Sequence, residues 1–167
     1  GEWGGGHRRG AMNTAFWKYH GLGNDFVLVD RRDLPERIHP AVTRAVCDRH
    51  TGIGADGILG WYRRGGRPFM RVFNADGSVA DMCGNGLRCF VRWLVEVMAV
   101  PPEPLVVETD AGPQDCIPVM RAGKVVAVRV NLGAPRFHGG ADITLEGQGF
   151  SGEDLFLGNP HFVIPRA

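Results

Sequence analysis

The segment DMCGNGLRCFVRWL, residues 81–94, places a cysteine directly before Gly-Asn-Gly, with an amphipathic run directly after it. Cysteine is among the residue types most often buried, so inert core packing is the plainest account of any one thiol. The position of Cys83 argues against that account. A sulfur at the start of a helix meets the positive end of the macrodipole and unpaired backbone amides, and both favour thiolate over thiol. Glycines on either side of Asn85 let a small molecule approach the backbone of Gly84 and Asn85 closely. The chemistry open to such a sulfur is that of a thiolate beside a bound ligand. Cys47 falls in an earlier helix, Cys89 inside the same helix and Cys116 in a strand-like run, so these three are read as structural.

Three other loops carry polar residues of the right kind. FNADGS, residues 73–78, is good turn chemistry, and Asn74 just before the turn can present its amide to a polar ligand. HGLGNDF and LGNPHF each set an asparagine after glycine, Asn24 and Asn159, and His161 follows the second. Taken alone, both are loops. TGIGADG, residues 51–57, contains G-x-G-x-x-G, but the dinucleotide fingerprint needs a strand before it and a helix after it. Here a helix precedes and the strand-like ILGWYR follows, so the segment reads as a tight loop rather than a nucleotide site.

The elements that must position these residues follow from periodicity. Leu87, Phe90, Val91, Leu94, Val95 and Met98 recur at steps of three and four, which predicts a helix from about Gly84 that stops before PPEP. An earlier helix is expected from about Pro40 to Arg49, with proline in its first turn. Short β-type runs surround them: TAFWKYH, FVLVD, ILGWYR, FMRVF, LVVET and KVVAVRVNL. RGGRP and RAGK read as hairpin turns. Residues 135–167 read as loop-rich, ending on DLFLGNPHFVIPRA, a strand-like run without a visible partner and the start of a second unit.

The totals bound the function. The 167 residues are 44% hydrophobic and 22% charged with a formal net charge of +1, an ordinary globular composition that points to neither nucleic acid nor an anionic membrane as partner. Lys18 and Lys124 are the only lysines, which leaves few candidates for Schiff-base chemistry. The four cysteines follow no zinc spacing and form no CxxC pair, and free thiols in a cytoplasmic setting are the default. No secretory signal or long apolar run is visible. Residues 1–11, GEWGGGHRRGA, lack periodicity and read as a leader, with Met12 as the expected start.

Taken together, KYHGLGNDFVLVD, DRHTGIGADGIL, FNADGSVADMCGNGLRCF and LGNPHFV resemble the diaminopimelate epimerase family, in the same order and across roughly Lys18 to Val163. The resemblance implies an α+β fold of two similar domains, each a β-barrel-like sheet wrapped around a central helix, with the active site between them. It also implies a reaction without pyridoxal phosphate, metal or other cofactor. One cysteine as thiolate takes the α-proton of LL-diaminopimelate, and a second as thiol delivers a proton to the opposite face, giving the meso isomer. On this reading Cys83 is catalytic, Asn24, Asn74, Gly84, Asn85 and Asn159 bind substrate, and His161 lies beside the reacting centre. The family is often homodimeric.

The family's second cysteine, and a Glu-Arg pair that contacts substrate, lie in a later segment that these residues do not include. The expected organisation is a first epimerase domain over residues 12–134 and the beginning of an incomplete, pseudo-symmetric second domain over 135–167. Such a fragment would be marginally stable and unable to epimerise alone. The rival readings are a two-cysteine racemase for proline-type or basic amino acids, a nucleotide-binding module using GIGADG, and a non-catalytic binding subunit.

Overall fold

Helix α2 (Gly84–Glu96) organises the molecule. Its Leu87, Phe90, Val91, Trp93 and Leu94 are completely buried, so the apolar stripe read from the sequence is the face that enters the core. The helix ends where Ala99 turns to φ 54° and Val100 N–H returns to the Leu94 carbonyl at 3.0 Å, just before the two prolines. The computed structural model describes residues 14–30, 37–158 and 160–165. The leader expected over residues 1–11 lies outside them.

Around α2 runs a sheet built from β1 (Phe16–Gly21), β2 (Asn24–Asp30), β3 (Gly57–Arg64), β4 (Arg67–Asn74), β5 (Val79–Ala80), β6 (Leu105–Thr109), β7 (Gly112–Arg121) and β8 (Lys124–Val130). The order is β1-β2-β3-β4-β6-β7-β8, with β5 paired to β4. Neighbours pair antiparallel except β2 with β3 and β4 with β6, where a helix makes the crossover. Helix α2 touches both β1 and β8, the two ends of the sheet order, so the sheet curls around it as a half-barrel. Trp93 sits at the hub, with ring centroids 5.2 Å from Trp17, 5.3 Å from Trp61 and 6.0 Å from Phe90. This is the α+β arrangement of a sheet wrapped on a central helix that the family resemblance implies.

Helix α1 (Pro40–Cys47) covers the other face, where Val27, Ile38, Cys47, Ala55, Ile58 and Phe73 form a second cluster. Strand β3 is therefore buried on both faces over Gly57–Tyr62. The helix stops two residues short of the expected Arg49. Asp48 leaves the helical region, and its carboxylate gathers the N–H groups of His50 and Thr51 at 2.9 and 2.6 Å.

Four hairpins close through two residues that both have positive φ: Leu22-Gly23, Gly65-Gly66, Ala122-Gly123 and Glu146-Gly147. Paired left-handed residues match the right-handed twist of the strands they join, and glycine in the second position makes that backbone accessible. The last of these hairpins corrects the sequence expectation. The described residues from 135 onward are not loop-rich: β9 (Arg136–Leu145), β10 (Gln148–Phe156) and β11 (Pro160–Val163) form a three-stranded antiparallel sheet. The run DLFLGNPHFV has a partner after all, because its first residues pair with its last, Asp154 with Phe162 and Phe156 with Pro160. Strand β9 is exposed along its whole length and carries Gly139-Gly140, so it lacks the alternation that would have marked it.

Candidate active site

Cys83 is the N-cap of α2, with extended backbone at φ −143° and ψ 115°. Its Sγ accepts the Gly86 N–H at 3.3 Å, and its carbonyl accepts the Leu87 N–H at 2.8 Å. A thiol thus does what serine or aspartate does at most helix starts. The amides of Gly84 and Asn85 have no carbonyl to reach within the helix and remain open to an anion. Gly86 is packed tightly: a Cβ there would stand 3.2 Å from Leu59 and 3.3 Å from the Cys83 Cβ. The glycine keeps the sulfur seated against the first turn.

Asn24, at the start of β2, reaches the same point from the neighbouring strand. Its Oδ1 lies 3.9 Å from Cys83 Sγ and accepts from Asn85 Nδ2 at 3.3 Å. Arg88, one turn on, donates to Asn85 Oδ1. Behind Asn24 stands an ion cluster. Asp56 Oδ2 accepts from Asn24 Nδ2 at 2.8 Å, and Arg49 bridges Asp25 at 2.7 Å and Asp56 at 2.8 Å. Lys18 pairs with Asp25 at 3.1 Å and also donates to the Gly54 carbonyl. The Arg49 guanidinium, more than partial burial opposes, holds the Asp25 carboxyl far below the usual carboxylate range. TGIGADG is therefore a bracing loop: its Gly52 backbone packs on the end of α1, its Gly54 carbonyl takes Lys18, and its Asp56 anchors Asn24.

The structure brings Cys83, Gly84, Asn85 and Asn24 together. Asn74 closes β4 opposite Gly57, and its bonds brace its own turn: Nδ2 to Ser78 Oγ at 2.9 Å and N–H to the Ser78 carbonyl at 2.8 Å. A Cβ on Gly57 would stand 2.6 Å from the Phe73 carbonyl oxygen, so glycine is what lets β4 carry Asn74 this close. His161 is exposed on β11, opposite Leu155. Gly158 packs against the side chain of Met82, the residue preceding Cys83. Asn159 lies outside the described residues. Sequence reasoning missed Asp56, Arg49 and Arg88; the aspartate inside a loop already singled out for its glycines was the available signal.

The other three thiols are buried, and burial pushes each up: Cys47 in direction, Cys89 to about 11 and Cys116 to about 12. Iodoacetamide at pH 8 is therefore expected to label Cys83 first, by at least about tenfold over any other cysteine. Peptide mapping after partial labelling checks this, and preferential labelling of Cys89 would refute it.

A helix capped by a thiol thus lies inside a curled sheet, with the Asn24 amide oxygen facing the sulfur. The fold matches a hydroxyproline epimerase from Agrobacterium vitis, solved with trans-4-hydroxy-L-proline, at TM-score 0.71 and 14% identity, covering 90% of this chain and 51% of that one. A probable proline racemase from Agrobacterium radiobacter K84 matches at TM-score 0.72 and 15% identity, covering 91% and 52%. At these identities the likeness is one of fold.

A family model described as diaminopimelate epimerase matches residues 16–138. The diaminopimelate epimerase of Moorella thermoacetica is 41% identical over 166 residues, covering 89% of this chain and 59% of the relative. That of Elusimicrobium minutum is 37% identical over 161 residues, covering 89% and 58%. The chain belongs to the diaminopimelate epimerase family, and it spans less than two thirds of the length of these relatives. No described helix is long and apolar enough to cross a membrane.

Proposed function

We propose that this chain carries one half-site of a cofactor-independent epimerase that converts LL-diaminopimelate to the meso isomer. The observation that carries the reading is Cys83 itself: a half-exposed sulfur capping α2, beside open first-turn amides and the Asn24 side chain. As thiolate, Cys83 takes the α-proton. The electron pair left on the α-carbon delocalises into the α-carboxylate, which the amides of Gly84 and Asn85 hold where negative charge grows. A thiol on the opposite face then donates a proton to that carbon, completing inversion. Cys47, Cys89 and Cys116 are buried and unsuited to that second role, so it falls to a sulfur outside these residues. Asn24, Asn74 and Asn159 hydrogen-bond the ends of the zwitterion, and His161 stands beside the reacting centre. The domain division is 12–134 and 135–167, and the assembled enzyme is a cytoplasmic homodimer.

The test is proton NMR in deuterium oxide, comparing diaminopimelate with proline, histidine and lysine as substrates for this chain. Loss of the α-proton signal from diaminopimelate alone is expected, without net formation of the meso isomer. Equal exchange from proline, or exchange from none of the four, would overturn the reading.

A further inference from the structure

The two ends of an asparagine amide have the same shape and opposite polarity, so neighbours must decide which way it points. At Asn24 and Asn85 the neighbours leave no choice. Asp56 Oδ2 takes Asn24 Nδ2 at 2.8 Å and the Asp25 N–H at 3.0 Å, while Asp56 Oδ1 takes Arg49 at 2.8 Å. An ionised carboxylate only accepts, so Asn24 must turn its NH2 towards Asp56. At the other end Arg88 donates to Asn85 Oδ1, and a guanidinium only donates. Asn85 must therefore turn its own NH2 away, onto Asn24 Oδ1 at 3.3 Å. The two constraints agree, and hydrogen bonds run in one direction along the row from Arg88 through Asn85 and Asn24 to Asp56.

We infer that Asp56, held by Arg49, is a positioning residue that fixes this direction, so that Cys83 faces the carbonyl oxygen of Asn24 rather than its NH2. The sulfur then has two defined partners. Its lone pair receives the Gly86 N–H at 3.3 Å, and its S–H points to Asn24 Oδ1 at 3.9 Å. The proton on sulfur is held on the Asn24 side, and a thiolate there meets a carbonyl dipole instead of a donor. Reversing the amide would place a donor on the sulfur and favour the thiolate. This inference rests on Cys83 being the reacting thiol and is independent of which amino acid is the substrate.

Two measurements test it without any substrate. In the unaltered chain, the Asn24 side-chain NH2 protons should show a nuclear Overhauser effect to the Asp25 backbone N–H, because both share Asp56 Oδ2. A cross-peak to the Cys83 β-protons in its place would overturn the inference, and this requires no variant to fold. The second measurement uses Asp56→Asn, which is isosteric. Arg49 keeps the oxygen of the new amide, so a donor now faces Asn24; made in an Asn85→Ala chain, which lacks the NH2 that otherwise holds Asn24 Oδ1 from the other end, the change lets the Asn24 amide turn over relative to Asn85→Ala alone. Iodoacetamide labelling of Cys83 at fixed pH should then quicken by about 3- to 10-fold. In an Asn24→Ala background the same change should alter the rate by less than about twofold. Equal acceleration in both backgrounds would mean that the carboxylate acts only through its charge, and an unchanged rate in the first would mean that it does not act on Cys83; either result overturns the inference.

Discussion

Cys83→Ala is expected to slow α-proton exchange from diaminopimelate by about 10²- to 10⁴-fold, the range that a positioned acid–base group contributes. Alanine also removes the cap on Gly86 N–H, and losing a cap costs about 1 kcal/mol. The two effects are separable with Cys83→Ser. Serine caps helices well and fits the same space, so this variant should keep its thermal midpoint within a few degrees of the parent. Its hydroxyl is far too weak an acid to serve as the base at neutral pH, so exchange should still be lost. Proton NMR in deuterium oxide together with a thermal melt reads both quantities on one sample. Exchange by the serine variant within about threefold of the parent would remove Cys83 from the chemistry.

Trp93→Ala is expected to cost about 3–5 kcal/mol, because it empties the hub on which Trp17, Trp61 and Phe90 rest. A domain of this size has a total stability of about 5–15 kcal/mol, so much of the margin disappears. Trp93→Phe is the informative partner. Trp93 Nε1 is buried without a hydrogen-bond partner, so phenylalanine removes an unpaired donor while keeping a ring in the pocket. Its cost should be less than half that of alanine. Urea denaturation followed by far-ultraviolet circular dichroism gives both values, and an alanine variant within about 1 kcal/mol of the parent would show that the hub does not carry the core.

Helix α2 was legible because two independent signals coincide there: a cysteine-glycine start and an apolar stripe at helical spacing that ends before two prolines. The hairpins were legible where glycine supplies the turn, as in RGGRP and RAGK. Strand β9 was not, because both its faces are exposed and its residues show no period. The site divides in the same way. Cys83, Gly84 and Asn85 lie in one local motif, and local pattern identifies them. The meeting of Asn24 with Asp56 depends on β2 and β3 pairing in parallel with Phe26 opposite Gly57, a register set by the α1 crossover and by the core under both strands. The aspartate among the glycines marks one loop as worth attention, but neither loop by itself announces that it meets the other. Asn74 was picked out for its amide, and its immediate partners prove to be those of its own turn.

The placement of α2 between the two ends of the sheet also bears on how the chain acquires its structure. Strand β1 and strand β8 lie at opposite ends of this sheet's sequence, yet both rest on the same helix. Docking β1 on the helix means closing a loop that contains α1 and the four strands β2 to β5 before the final contacts can stabilise it, and such long-range closure makes folding slow relative to chains of the same size built from local contacts. The Trp17–Trp93 contact forms only when the first strand docks on the helix, so the protein carries an intrinsic fluorescent reporter of that step.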